Sequence, residues 1–227
     1  MAPRRSYSGL WLSDRSLGVL LAILVFDLFV LAPLSQFREE TRIVLPVVYS
    51  LFLLVGILTV LRNRIATMVT CVLAPANIVL RWANHLHPRI GLERADAALA
   101  LVFSAILVAV ILAHVFSPGR INMHRIEGAV AAYLLFAMVW AFAYTLIALA
   151  DPDAFNFAGG TWPGALTARL YYFSAITLTT VGYGDVTPVN PIARSLAALE
   201  GFVGQLFPAI TLARLVAMEL YHSQRGE

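Results

Sequence analysis

The chain contains no lysine, a single cysteine among 227 residues, and charged side chains at only 13% of positions. Each shortage excludes something. With Cys71 as the sole cysteine no internal disulfide can form, and its place inside a hydrophobic segment makes packing its default role. All 16 basic residues are arginine, and a net charge of +3 is too small and too scattered for a nucleic-acid surface. The acids are equally dispersed, and nowhere do a nucleophile, a base and an orienting group come together, so the chain does not read as an enzyme. His85 and His87 resemble half of a metal site, but no third ligand is near in sequence, and a solvated loop accounts for them.

Apolar residues are abundant instead. They make up 60% of the chain, and the mean hydropathy is +0.80, values that suit a lipid-embedded protein and not a soluble globule. A helix needs about 20 apolar residues to cross the hydrocarbon core, and that ruler predicts an all-α membrane protein with six crossings. They fall at residues 17–34, 43–61, 65–80, 97–116, 128–149 and 191–220. The third is the shortest, holds Pro75 and Asn77, and is bounded by Arg64 and Arg81. The first shows no small-residue cleavage pattern before the polar link of Arg38, Glu39, Glu40 and Arg42, so it is expected to stay as a span. Six crossings put both termini in the cytoplasm, although arginines fall in nearly equal numbers on the two sides and the charge bias is weak.

Residues 150–190 are too polar at their start to span and too apolar in their middle to be a loop. Asp151-Pro152-Asp153 and Gly159-Gly160 read as turns, Thr161-Trp162-Pro163 as a helix entry, and 165–179 as a short re-entrant helix. Next comes Thr180-Val181-Gly182-Tyr183-Gly184-Asp185. Taken alone, Gly-Tyr-Gly-Asp suits a turn. Its setting argues otherwise, because non-helical backbone at membrane depth is tolerated only where protein or a water-filled path surrounds it. To aim successive carbonyls at one axis, a backbone must alternate ordinary and left-handed dihedrals, and Gly182 and Gly184 permit the latter without steric penalty.

This string resembles the selectivity filter of the potassium channel family, and the resemblance covers 128–220, less than half of the chain. It implies that Thr180, Val181, Gly182 and Tyr183 offer backbone carbonyls to K⁺, with Gly184 closing the string and the Thr180 hydroxyl adding an inner ring of oxygens. One copy supplies a quarter of such a cage, so the expected assembly is a homotetramer with cyclic symmetry, in the plasma membrane and in contact with lipid. No cofactor is expected beyond K⁺ as the permeant ion. The resemblance also gives support roles to Tyr172 and Phe173 on the pore helix and to Thr179 and Asp185 flanking the string. Tyr172 can donate to Asp185, whereas Phe173 can only pack. Ile176 stands where some members place a glutamate, which argues against a carboxyl pair behind the filter. Asp185, Asp151 and Asp153 could form an acidic mouth, the last two being equally well explained as a solvated turn.

On the last helix, Gly201, Gly204 and Pro208 favour a bent or bendable rod, with Gly204 at the family's hinge position. Leu212 and Val216 lie one turn apart beyond it and are candidates for a hydrophobic gate. Glu200 reads as a satisfied carboxylate behind the pore helix, or else as a cavity charge. Asp27, in mid-helix, needs a partner or water and serves either a structural bond or a gating role.

The predicted organisation is a cytoplasmic segment (1–16), a four-helix accessory domain (17–116), a linker (117–127), a pore domain (128–220) and a short tail (221–227). The fourth crossing carries no regularly spaced arginines. Moving one charge through 100 mV is worth about 2.3 kcal/mol, so steep voltage gating has no source there. The tail leaves no room for a cytosolic sensor domain, and an unknown lipid or regulatory protein acting through the first four helices is one expectation. Two other classes fit less well: a subunit of a potassium-uptake transporter, and a regulatory subunit that assembles with another channel.

Overall fold

A computed structural model describes residues 8–37, 44–61, 63–117, 122–158 and 166–224. The polar link of Arg38 to Arg42, the Gly159-Gly160 turn and the Thr161-Trp162-Pro163 helix entry lie outside the described residues.

Helix α1 (Ser8–Phe26) passes through a π-helical turn (Asp27–Leu31) into α2 (Ala32–Phe37), with the Ala32 N–H bonded to the Asp27 carbonyl. Pro33 has no N–H to give to the turn before it, and a widened turn is one way a helix absorbs that loss. Helices α3 (Val44–Val60), α4 (Arg64–Leu86), α5 (Ile90–Val115) and α6 (Met123–Ala150) follow. Asn63 and Asn122 cap α4 and α6, each side chain accepting from the third backbone N–H onward, at 3.2 and 3.1 Å. Strand β1 (Phe155–Phe157), helix α7 (Leu166–Leu178), strand β2 (Val186–Pro188) and helix α8 (Pro191–Gln224) complete the chain.

Among the described residues five helical stretches are long and apolar enough to cross a membrane: Ser16–Leu34, Arg64–Leu86, Ile90–Val115, Met123–Ala150 and Pro191–Met218. The protein is a multi-pass, helical membrane protein. The third segment, expected to stop at residue 80, is a 23-residue helix that runs unbroken through Pro75 and takes in Arg81. A proline removes one hydrogen bond without stopping a helix that is packed on both flanks, and membrane helices tolerate this. The fourth also starts earlier, at Ile90, so Glu93, Arg94 and Asp96 are helical and not loop residues.

Neighbouring helices run antiparallel. Arg94, early in α5, donates to the Leu149 carbonyl at the end of α6, while Val115, at the end of α5, lies against Gly128 near the start of α6. Ser16 on α1 meets Thr59 on α3 at 3.3 Å, and Ser50 on α3 receives the Trp82 indole N–H of α4 at 3.3 Å. One buried apolar cluster takes in residues from both sides of the 117–127 linker, from Leu17 through Phe103 and Leu135 to Leu178. A second cluster, with Tyr144, Phe155, Leu170 and Phe173 at its centre, lies beneath the β1–β2 ribbon. That ribbon is antiparallel, pairing Phe155 with Pro188, Asn156 with Thr187 and Phe157 with Val186, and it fastens the segment after α6 to the segment before α8.

Candidate functional site

The segment after α7 leaves helical geometry at Thr180, and its backbone then alternates. Positive φ occurs at Thr180 (61°), Gly182 (54°) and Gly184 (78°), every second residue, and at no other non-glycine residue among those described. Alternation of this kind turns successive carbonyls to the same side. The glycines were legible in the sequence, but Thr180 was not. A β-branched residue in the left-handed region is strained, and such strain persists only where the surroundings impose it. Here the Thr180 N–H bonds to the Thr177 carbonyl at 3.0 Å. The N–H groups of Val181 and Gly182 share the Ile176 carbonyl at 2.9 and 3.1 Å. Thus Ile176 contributes its backbone to the base of the string and no carboxyl group.

The pore helix beneath the string is tied on three sides. Ser174 donates to the Ala137 carbonyl of α6 at 2.8 Å and also lies against Glu200 of α8. The Tyr144 hydroxyl donates to the other Glu200 oxygen at 2.6 Å, so this fully buried carboxylate joins α6, α7 and α8. Glu200 therefore sits behind the pore helix with both oxygens engaged. At the lower end the Tyr133 hydroxyl of α6 reaches the Leu178 carbonyl at 3.1 Å and the Gly204 carbonyl at 3.4 Å. Tyr133, Tyr144 and Ser174 were not singled out from the sequence. Their partners lie tens of residues away, and nothing in local pattern announces them.

The outer end of the string is held by Asp185. Its carboxylate accepts from the Tyr172 hydroxyl at 2.7 Å and from the Val186 N–H at 3.1 Å, and its carbonyl accepts from Ala158 N–H at 2.7 Å. Phe173 packs edge-on against Tyr144 and Phe155, with centroids 5.1 and 5.6 Å apart. Thr179 turns its hydroxyl back to the Ala175 carbonyl at 2.7 Å. Of the other two acids, Asp151 is engaged, accepting from the Asn190 amide at 2.9 Å, whereas Asp153 is exposed. Replacing Tyr172 with Phe removes a hydrogen bond to a carboxylate, worth about 1.5–3 kcal/mol and nearer the lower figure for a partly exposed pair. If K⁺ binds the string, Tyr172→Phe is expected to need about tenfold more K⁺ than the parent for an equal rise in melting temperature, measured as melting temperature against K⁺ concentration.

Helix α8 is continuous through Gly204 and Pro208. Gly204 is buried where α8 crosses α7, and a Cβ built there would land on the Leu178 carbonyl. The structure thus gives this glycine a close-approach role beside the hinge role expected of it. Leu212 and Val216 are exposed, at 66% and 50%, in the single chain. Between them in sequence, Arg214 donates to the Phe116 carbonyl at 3.0 Å and stacks over the Phe116 ring, tying α8 to the end of α5.

The accessory helices hold a charged group that the sequence reading missed. Arg81 of α4 lies 2.8 Å from Asp96 of α5 and stacks on Tyr49 of α3 at 3.9 Å. Asn77, fully buried, binds Asp96 in either amide orientation, through the backbone carbonyl at 3.3 Å or the carboxylate at 3.2 Å. Asp27, at the π-helical turn, faces the same group. His85 packs against Trp82, and no cluster of three metal-ligating side chains occurs among the described residues.

A short helix thus ends on a string of alternating left-handed residues, braced by the helices before and after it. Residues 130–219 match the model of the ion channel family, and two of the curated proteins similar to this segment are potassium channels. It is 47% identical to Protein LctB of Bacillus caldotenax over 45 residues, 20% of this chain and 33% of that one. Two pore potassium channel c of Oryza sativa subsp. japonica is 32% identical over 91 residues, 39% of this chain and 20% of its own. The inward rectifier potassium channel Kirbac3.1 of Paramagnetospirillum magnetotacticum is 34% identical over 85 residues, 37% and 26% of the two chains. The chain therefore spans a third or less of these relatives' lengths. No solved structure matches it.

Proposed function

We propose that the chain is one subunit of a homotetrameric, K⁺-selective channel that conducts passively and performs no catalysis. The carrying observation is the alternation of left-handed residues at Thr180, Gly182 and Gly184 on a string bonded to the end of α7. In this reading K⁺ loses its water to rings formed by Thr180, Val181, Gly182 and Tyr183 of four copies, with the carboxyl end of α7 favouring a cation below them. The exposure of Tyr183 (73%) and Val181 (52%) in one chain supports further copies, because large side chains beside the string otherwise face nothing. A row of exposed apolar residues along α8, including Leu199, Phe202 and Leu206, supports cover by lipid or a neighbouring copy. Residues 17–116 form the accessory part, both termini lie in the cytoplasm, and the membrane is the plasma membrane.

The test is flux from liposomes containing only the purified protein. K⁺ should move and Na⁺ should lag by at least tenfold; equal rates, or particles without four copies, would overturn the reading. That assay also separates the transporter and silent-subunit alternatives, neither of which conducts alone.

Two outcomes concern gating. Helix α5 holds one arginine, Arg94, near its start, so conductance is expected to change little between −100 and +100 mV in planar bilayers. Leu212 is proposed to close the pore by dewetting. Leu212→Asn should raise resting open probability severalfold in single-channel records, and an unchanged value would remove Leu212 from the gate.

A further inference from the structure

Three polar side chains fall between Leu196 and Ala213, in the middle of the membrane-spanning part of α8: Glu200, Gln205 and Thr211. Glu200 and Thr211 are buried, and Glu200 is bonded through both oxygens. Gln205 is exposed, and its carboxamide bonds to none of the described residues. A carboxamide has two N–H donors and an acceptor oxygen, and holding them against hydrocarbon is costly, so this side chain needs water or another polar group.

The faces of α8 decide between the two. With about 3.6 residues per turn, Gln205, Leu212 and Val216 lie within about 40° of one another around the helix. Phe207, which stacks on Tyr133 of α6, and Arg214, which reaches Phe116 at the end of α5, lie about 140–180° from that strip. Between the two sides, at Gly201 and Gly204, α8 crosses the carboxyl end of α7. The Gln205 strip therefore faces away from α5 and α6 and borders the point from which the string departs. Leu199, Leu206 and Ile210 form a separate exposed strip about 100–140° from Gln205, made only of large apolar side chains and suited to lipid or a neighbouring copy.

We propose that Gln205 faces the ion path and that its carboxamides, one from each copy, form a polar collar that holds a hydrated monovalent cation between the string and Leu212. Their oxygens accept from the water around the ion, and a neutral ring adds no fixed charge that would trap it. Gln205 follows the residue that abuts Leu178, and Leu212 lies about 10 Å further along α8. The collar thus keeps water in the path directly beneath the string and confines dewetting to the level of Leu212 and Val216. This assignment rests on the channel reading above.

The test places cysteine at position 205 of the full chain in a Cys71→Ala background, so that the new thiol is the only one. A trimethylammonium-bearing methanethiosulfonate is applied to both sides of a planar bilayer while K⁺ current flows. Current through Gln205→Cys should fall about tenfold as a fixed cation enters the path, and return with dithiothreitol, while Leu206→Cys and Ile210→Cys lose less than about twofold. Gln205→Leu should lower single-channel conductance about threefold at an unchanged K⁺ to Na⁺ ratio, with Gln205→Asn closer to the parent. That pair supplies the result if Gln205→Cys fails to assemble on gel filtration. Undiminished current through Gln205→Cys, equal block of Leu206→Cys, or parental conductance in Gln205→Leu would overturn the collar. Labelling of the same thiols in nanodiscs is read by mass. A protein that conducts but stays unlabelled at position 205 overturns only the collar, and one labelled there that does not conduct overturns only the channel reading.

Discussion

Gly204→Ala is expected to abolish K⁺ flux and to lower the melting temperature of the assembly more than any other single substitution on α8. A methyl group at this position meets the backbone carbonyl of Leu178, which cannot rotate aside as a side chain would. Overpacking of a close contact costs about 1–3 kcal/mol where side chains can give, and a backbone obstacle puts this site at or above the upper end. The alternative view of Gly204 is as a hinge, where flexibility and not space is what glycine supplies. The two views differ in what they predict for stability. A hinge glycine replaced by alanine stiffens the helix and stabilises it by about 1 kcal/mol, leaving a protein that folds well and gates badly. A contact glycine replaced by alanine pushes α8 away from α7 and disturbs the Leu178 carbonyl that Tyr133 also holds. Gly201 is the internal control: its added Cβ would lie 3.8 Å from the Thr177 carbonyl, an ordinary contact. Gly201→Ala should therefore melt within a degree or two of the parent, and equal losses in both variants would defeat the contact argument.

What the sequence disclosed about this site followed from distance along the chain. The glycines of the string lie within one short segment, and the pairing of Tyr172 with Asp185 was implied by the family resemblance carried by that same segment. Glu200 was noticed because a carboxylate in an apolar run must be satisfied somehow, although its partners Tyr144 and Ser174 could not be named from pattern. Tyr133 gives no local signal, since a tyrosine in an apolar helix is unremarkable until the helix is placed against the end of α7. The Arg81–Asp96 pair was hidden for a related reason. A hydropathy ruler ends a span at its first charges, so both residues were assigned to loops, whereas the charges satisfy each other inside the bundle and let α4 and α5 continue past them. Thr180 is the remaining case: nothing in its side chain suggests a left-handed backbone, and only the three hydrogen bonds from the string to the last turn of α7 impose it.

That imposed geometry sets the second large effect. Gly184→Ala is expected to bring the K⁺ to Na⁺ flux ratio close to one, or to stop both, while leaving the amount of assembled protein nearly unchanged. Gly184 has φ of 78°, where an L-residue is disfavoured by roughly 1–2 kcal/mol. Nothing lies within 4 Å of an added Cβ in the single chain, so the penalty is conformational and not a collision. Fold stability, spread over the eight α-helices and two apolar clusters found among the described residues, absorbs a penalty of that size. A ring of carbonyls does not. Relaxing the strain by returning residue 184 to ordinary φ swings its peptide plane, and in the tetramer proposed above the affected oxygens would leave the path together in every copy. Thr180 shows that the string can hold a non-glycine residue at φ of 61°, but there three backbone bonds to α7 enforce it, and Gly184 lies beyond their reach. Thr180→Ser, which keeps the hydroxyl and the enforcing bonds and drops only the β-branch, should accordingly retain K⁺ selectivity within about threefold. The comparison is made by paired K⁺ and Na⁺ flux assays, with assembly followed by gel filtration. If Gly184→Ala discriminated between the two ions as the parent does, left-handed geometry would not be what aligns the oxygens, and the assignment of residues 180–184 as the ion path would fall with it.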